Sequence, residues 1–168
     1  LKSTPFSIQL KLFNFNLMNN LIYGIILSAL PIAELRGGIP LAMSSGASIG
    51  SIFFLCVLAN ILIIPLIFLF LDFLHERFLE KRFYRVLFSK VVNKTRKKIE
   101  HRIGTKWEYF ALFLLVAIPL PGTGAYTGSL AAWLFKLNRK KSILVIALGV
   151  IIAGILVTLA SLGIYSFI

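Results

Sequence analysis

Residues 117–130 read AIPLPGTGAYTGSL, which places two prolines and three glycines inside a hydrophobic run. Proline lacks the amide donor and collides with the preceding helical turn, and glycine weakens a helix, so this stretch predicts a helix break. Inside a bilayer, an open backbone is stable only where protein or water satisfies its polar groups, which is also where transporters bind substrates and ions. The stretch therefore predicts a functional break at membrane depth.

The composition of the whole chain supports a membrane setting. Of its 168 residues, 58% are hydrophobic, and the mean hydropathy is +0.90. Two runs of membrane length, residues 49–71 and 142–168, contain no charged residue. A soluble helical protein of this size does not need such runs, so we predict an integral membrane protein. The single cysteine, Cys56, excludes an intrachain disulfide.

The formal net charge of +12 would suit nucleic acid in a soluble protein, but here the positive residues flank the apolar runs. Eleven of the 18 lysines and arginines lie within residues 77–106, and four more lie within residues 136–141. Short basic loops mark the cytoplasmic side of a membrane and attract anionic headgroups. We therefore predict lipid contact at residues 77–106, both basic loops in the cytoplasm of a bacterial-type plasma (inner) membrane, and no nucleic-acid partner.

A second break is predicted in the first half of the chain. Residues 21–30 supply about ten apolar positions, which cover only about half of a hydrocarbon core. The following stretch, PIAELRGGIP at residues 31–40, sets two charges between two prolines and beside a glycine pair. The first half thus contains a short apolar arm, a break and a full span.

The second half repeats this order. Residues 109–118 form another short arm before the break in residues 117–130, and a shift of 88 residues, which aligns Pro31 with Pro119, carries the span 49–71 into the last apolar run. If residues 109–135 crossed the bilayer completely, the two basic loops would lie on opposite sides, against the positive-inside bias. A re-entrant hairpin avoids this conflict.

The predicted fold is therefore an all-α polytopic membrane protein with two inverted repeats. Each repeat is a re-entrant helical hairpin plus a transmembrane helix, the two are joined by a basic amphipathic segment, and their broken tips meet near the midplane. We predict one membrane domain over residues 1–168. It comprises an N-terminal interfacial segment (1–19), a first repeat (20–72), a basic cytoplasmic linker (73–107) and a second repeat (108–168). Such a small chain is compatible with a homodimer.

The pairing of PIAELRGGIPLA (residues 31–42) with IPLPGTGAYTG (residues 118–128) resembles the family called putative small multidrug export proteins. The resemblance covers residues 21–168 and implies a translocator. That family is in turn similar in architecture to DedA and VTT-domain membrane proteins, whose paired re-entrant loops are associated with lipid or lipid-carrier translocation and proton-coupled transport. The chain departs from the DedA pattern, which carries an acidic residue in its second loop region, because residues 117–130 contain no charge.

Glu34 is the sharpest candidate for a site residue, because a carboxylate in a membrane break is costly unless it is paired or neutralised. The guanidinium fork of Arg36 suits an anionic substrate, although both residues could instead pair and hold the loop. In the second break, small residues either free backbone groups to face a cavity or allow close helix packing. The predicted substrate- or proton-binding residues are Glu34, Arg36, Pro31, Gly37, Gly38, Pro119, Pro121, Gly122, Thr123, Gly124 and Tyr126.

Asn60 and the two tryptophans are predicted to have structural roles. Asn60, inside an otherwise apolar run, is predicted to hydrogen-bond a neighbouring helix, although a place in a polar site is an alternative. Trp107 and Trp133 are predicted to anchor the chain at the membrane interface.

The function predicted from these residues is gradient- or proton-coupled export of a small solute through a midplane site. A flippase or scramblase for lipids or lipid-phosphate carriers is the first alternative, and a non-transporting assembly protein is the second. No catalytic set and no phosphate loop are visible, and His75 and His101 lack other ligands at metal spacing. We therefore predict no enzymatic activity, no metal and no cofactor.

Overall fold

The computed structural model describes the backbone of residues 6–79 and 106–165 and the side chains of residues 18–74 and 107–164. This part of the chain is all-helical, as predicted. The predicted helix of the basic linker lies largely outside the described residues, at positions 80–105. The helices are α1 (Phe6–Ala29), α2 (Glu34–Met43), α3 (Ile49–Leu79), α4 (Lys106–Ala117), α5 (Ala125–Leu134) and α6 (Arg139–Tyr165).

Two helical segments are long and apolar enough to cross a membrane, namely Ile49–Leu74 and Arg139–Ile164, each with a mean hydropathy of 3.0. The helices α2 and α5 have 10 residues each, so each covers about 15 Å, or half of a hydrocarbon core. Helix α1 begins at Phe6, inside the segment predicted to lie at the interface. The interfacial position of that segment stays a prediction.

The first two helices form a hairpin. Helix α1 packs along α2, and the open end is joined by a hydrogen bond of 3.1 Å from the Asn20 side-chain amide to Ser44 Oγ. The chain reverses at residues 30–33, where proline 31 interrupts the helical ladder.

Helices α4 and α5 form a second hairpin. The backbone N–H of Asn138 donates to the phenolic oxygen of Tyr109 at 3.2 Å. Tyr109 lies in the first turn of α4 and Asn138 follows the end of α5, so this hydrogen bond joins the two open ends of the hairpin. Insertion of this hairpin into a membrane from one face stays a prediction.

The pattern of buried residues repeats along the chain. From α2 onward, each buried position paired below has a buried counterpart 90 residues later. The helical arms before the two breaks correspond at the predicted shift of 88. The two shifts differ because the second break is longer than the first. The buried pairs are Ser28 and Val116, Leu35 and Ala125, Gly38 and Gly128, Ala42 and Ala132, Ile52 and Ser142, Cys56 and Ile146, Asn60 and Val150, and Ile64 and Gly154.

The chain forms two compact units. The first unit comprises Leu1–Asn60 and Gly154–Ile168, and the second comprises Ile61–Ala153. Each unit therefore contains one hairpin, part of α3 and part of α6. In the first unit, a Cβ built on Gly154 of α6 would lie 2.7 Å from Val57 of α3, so these helices pack closely there.

Candidate functional site

The first break is short and tightly hydrogen-bonded. The N–H of Leu30 donates to the carbonyl of Leu27 at 3.1 Å, and the N–H of Glu34 donates to the carbonyl of Leu30 at 3.0 Å. Helix α2 then includes Gly37, Gly38 and Pro40. The break is thus narrower than the Pro31–Pro40 stretch suggested, because α2 continues through its internal proline while packed against α1.

Glu34 has an unusual backbone at the start of α2. Its φ is +48°, a left-handed conformation that costs a side-chain-bearing residue about 1 kcal/mol. The residue is also buried, with 9% of its surface exposed. Burial of a carboxylate at a strained position is uncommon in a segment that only connects two helices, and such outliers cluster at functional sites. Arg36 follows on α2 and is half-buried.

A side chain from α3 holds the end of α1. The Asn60 amide donates to the backbone carbonyl of Ser28 at 2.6 Å. This carbonyl has no helical partner once α1 ends, so the amide supplies the donor that the break removes. The prediction that Asn60 bonds a neighbouring helix is confirmed. Its Oδ1 atom is buried and has no hydrogen-bond partner among the described residues.

Two glycines set the distance between α1 and α2. A Cβ on Gly38 would lie 2.5 Å from the carbonyl oxygen of Gly24, and a Cβ on Gly24 would lie 2.6 Å from Ala42 Cβ. Gly37 is also close-packed, since its Cβ would lie 2.7 Å from that of Ala33. These glycines explain how the first hairpin closes, and a binding role for Gly37 and Gly38 stays a prediction.

The second break covers residues 118–124 and is organised by one threonine. The hydroxyl of Thr123 lies 2.8 Å from each of the carbonyl oxygens of Ile118 and Leu120. It also accepts from the N–H of Leu120 at 3.1 Å. The hydroxyl therefore holds together the turn around Pro119 and Pro121, where proline removes backbone donors.

Glycines in this break adopt conformations that other residues avoid. Gly122 has a φ of +83° and Gly124 a φ of +137°, which only glycine reaches without strain. The hydroxyl of Thr127 donates to the carbonyl of Gly122 at 2.7 Å. Helix α5 begins directly after Gly124, so the half-buried Tyr126 lies in its first turn.

A glycine also allows close packing in the second hairpin, where it faces the side chain of Val116 and not a backbone carbonyl as in the first hairpin. A Cβ on Gly128 would lie 2.5 Å from Val116 Cγ2, and a Cβ on Gly149 of α6 would lie 2.8 Å from Val116 Cβ. The hydroxyls of Ser129 and Ser142 are buried and have no hydrogen-bond partner among the described residues. The second unit thus contains unpaired polar groups at positions that are isoleucine in the first unit.

The turn after α5 is a Schellman motif. The N–H of Leu137 donates to the carbonyl of Ala132 at 3.0 Å, and the N–H of Lys136 donates to that of Trp133 at 3.1 Å. In this motif the residue after the cap is left-handed and is usually glycine. Here that residue is Lys136, with a φ of +53°.

An apolar groove of about 330 Å³ runs beside this turn, between α4 and α5. Glu108, in the first turn of α4, is its acidic lining residue. Its apolar walls include Ala111, Leu112, Leu115, Ala131, Phe135 and Leu137.

A charged cluster joins α3, α5 and α6 within the second unit. The Asp72 carboxylate accepts from Trp133 Nε1 at 2.9 Å and from the guanidinium of Arg139 at 2.6 Å. The Arg139 guanidinium also lies over the ring of Phe68, 5.6 Å from its centroid. Trp133 therefore has a specific partner, and its predicted place at the membrane interface remains a prediction.

The predicted site residues form two groups. Those of the first break belong to the first unit, and Pro119 to Tyr126 belong to the second. Within each unit the residues lie around one helix break, and the meeting of both breaks at one site stays a prediction. Sequence reasoning missed the unpaired hydroxyls of Ser129 and Ser142 and the left-handed Lys136. The predicted shift of 88 aligns Lys136 with Ser48, and only the shift of 90 shown by the buried pairs aligns it with Gly46.

Comparison with known proteins identifies a family but no individual relative. No curated protein and no solved structure matches the chain. Similarity to DedA and VTT-domain proteins stays a prediction. One family profile, described as "Putative small multi-drug export protein", matches residues 34–156. The match begins at Glu34, the first residue of α2, and includes the second break, all of α3 and most of α6. The chain therefore belongs to the family of putative small multi-drug export proteins.

Proposed function

We propose that the protein exports small solutes across a bacterial-type plasma membrane and that a gradient, with protons as the proposed ion, drives the export. Membership of an export family and two helices of membrane-spanning length support a transport function. The observation that carries the proposal is Glu34, a buried carboxylate at a left-handed backbone position beside the first break. Buried ionisable groups within membrane segments are candidate proton or substrate sites.

In this proposal Glu34 exchanges a proton during the transport cycle, and Arg36, two residues later in α2, supplies the counter-charge of the deprotonated carboxylate. The second break contributes Pro119, Pro121, Gly122, Thr123, Gly124 and Tyr126. Because the Thr123 hydroxyl already bridges backbone groups of its own turn, we assign Thr123 to shaping this loop. Tyr126 then provides a hydroxyl in the first turn of α5.

We further propose that the two repeats have opposite orientations in the membrane. The repeated order of a short arm, a break and a long helix in the two halves of the chain supports this proposal. The two basic loops support it as well, because they favour both ends of residues 109–135 on the same side of the membrane. With the basic loops in the cytoplasm, the second hairpin would be inserted from that face.

Transport in proteoliposomes tests the role of Glu34. The purified protein is reconstituted with an imposed pH gradient, and accumulation of ethidium, a fluorescent organic cation, is followed. Glu34→Gln should abolish gradient-driven accumulation, because it keeps the size of the side chain but cannot release a proton. Glu34→Gly should also abolish it, because it removes the carboxylate altogether.

Glu108→Gln is the matched control, because it removes a carboxylate from α4 and leaves the first break unchanged. It should retain proton-driven accumulation. Undiminished flux in Glu34→Gln would remove Glu34 from the mechanism. Absence of ethidium transport together with protein-dependent flipping of a fluorescent lipid would favour the flippase alternative instead.

A further inference from the structure

Lys136 occupies a position that its equivalent in the first unit fills with glycine. Gly46 follows α2 with a φ of +70°, and Lys136 follows α5 with a φ of +53°. The two residues are 90 residues apart, the spacing that relates the buried faces of α2 and α5. Glycine adopts this conformation freely, whereas lysine is strained in it. A charged residue at a position better suited to glycine indicates a use for its charge.

This charge stands next to the apolar groove. Phe135 and Leu137 line the groove, and the exposed Lys136 lies between them in the chain. The hydrogen bond between Asn138 and Tyr109 joins this turn to the start of α4, where Glu108 lies. The groove therefore has a basic turn at the open end of the hairpin and hydrocarbon side chains along its walls.

The surrounding charges decide which kind of ligand fits. Lys136, Lys140 and Lys141 are all exposed, while Arg139 pairs with Asp72. Exposed basic charge therefore predominates on the turn beside the groove and at the start of α6, which favours an anionic over a cationic amphiphile.

From these observations we propose that the groove binds an acyl chain of an anionic phospholipid and that Lys136 holds the lipid phosphate. The site requires neither solute transport nor Glu34, so it is independent of the proposed function. It also differs from a general attraction of the basic linker for the membrane, because it joins one lysine to one groove.

Quenching of tryptophan fluorescence by brominated lipids tests this site. The two tryptophans, Trp107 and Trp133, lie on the two helices that line the groove. The full chain is placed in phosphatidylcholine nanodiscs, and brominated phosphatidylglycerol is compared with brominated phosphatidylcholine at equal mole fractions. The unmodified protein should prefer the anionic lipid. Lys136→Gly should reduce this preference about fivefold, the effect of one basic residue at a membrane surface.

Three further variants distinguish binding at this site from a general effect of surface charge. Lys136→Arg should keep the preference, and Lys140→Gln, with the same loss of charge, should change it less than Lys136→Gly. Ala111→Phe should reduce quenching by filling the groove while Lys136 remains. The thermal midpoint of Lys136→Gly should equal or exceed that of the unmodified protein, because the strain is gone.

Several outcomes would overturn the proposal. An unchanged lipid preference in Lys136→Gly would show that Lys136 does not hold the lipid phosphate. Equal losses of preference in Lys136→Gly and Lys140→Gln would show that the preference comes from general surface charge. No preference in the unmodified protein would rule out a specific site for an anionic phospholipid in this groove. A lower thermal midpoint for Lys136→Gly would contradict the argument from strain.

Discussion

The end of α1 in the first unit and the end of α4 in the second are stabilised by different interactions. In the first unit, the carbonyl of Ser28 receives a hydrogen bond from Asn60. In the second unit, the equivalent positions are Val116 and Val150, both buried, and the threonine of the break bonds its own turn instead. The same hairpin geometry can therefore be built from polar or apolar contacts, and the choice sets which unit carries buried polar groups near its break.

The two units also differ in which of their positive-φ positions is occupied by glycine and which by a charged residue. The first unit has Glu34 at the break and Gly46 at the following turn, whereas the second unit has Gly124 at the break and Lys136 at the turn. Each unit thus places one charged residue where its equivalent is glycine. The strain is local and costs about 1 kcal/mol at each charged residue. These two charged residues are the ones to which we assign ligand or proton binding.

The largest difference between the units should appear when a methyl group is added at the glycine that closes each hairpin. Gly38→Ala should destabilise the protein by about 3 kcal/mol, because the added Cβ meets a backbone carbonyl as well as Ser28. Gly128→Ala should cost about 1 kcal/mol, because it meets a side-chain methyl of Val116 that can move. Reversible unfolding in mixed micelles measures both values.

Gly50→Ala is the control for this pair, because a Cβ at Gly50 would meet nothing within 4 Å. It should leave stability unchanged or raise it by up to about 1 kcal/mol, the usual gain in a helix. Equal costs for Gly38→Ala and Gly128→Ala would mean that both hairpins yield to the added methyl in the same way, contrary to the comparison.

A smaller effect should follow when the polar support of the first break is removed. Asn60→Leu preserves the side-chain volume but leaves the Ser28 carbonyl without its donor, which should cost about 2 kcal/mol. The break should also open more often, so the amides of Leu30 and Glu34 should exchange hydrogen faster. Hydrogen exchange with mass spectrometry measures this change.

Ser28→Ala provides the comparison for Asn60→Leu. It removes the hydroxyl that bonds Gly24 but keeps the carbonyl that accepts from Asn60, so the exchange at the break should hardly change. An unaltered break in Asn60→Leu would show that the prolines alone define it, and the two units would then not differ in this respect.

Much of this architecture was predictable from the sequence because it depends on composition and periodicity. Apolar runs of two lengths gave the short and long helices, and the placement of lysine and arginine required the ends of the second hairpin to meet. The position of Asn138 beside Tyr109 agrees with that requirement. The break boundaries were less accurate, since Pro40 and Gly128 lie inside helices that pack on their neighbours.

The details of the candidate site could not be predicted for a specific reason. The partner of Asn60 is a backbone carbonyl 32 positions away, and no residue type marks such an acceptor in a sequence. The strain at Glu34 is a property of the backbone and depends on where α2 begins. Lys136 could not be recognised in advance either, because the predicted shift of 88 places it opposite Ser48, and only the shift of 90 in the buried pairs places it opposite Gly46.

The smallest effect concerns the charged cluster of the second unit. Asp72→Asn should cost less than about 1 kcal/mol, because both charges of the pair with Arg139 are partly exposed and water weakens their attraction. The substituted amide oxygen still accepts from Trp133, so only the ion pair is lost.

The difference in thermal midpoint between Asp72→Asn and the unmodified protein should shrink as salt is raised, because salt screens exposed charges. The first unit should show no such dependence in Ser44→Ala, since its open end is joined by neutral hydrogen bonds. A salt-independent loss in Asp72→Asn would contradict the ion pair as the cause of the stabilisation, and the two units would then not differ in the charge of the contact that closes them.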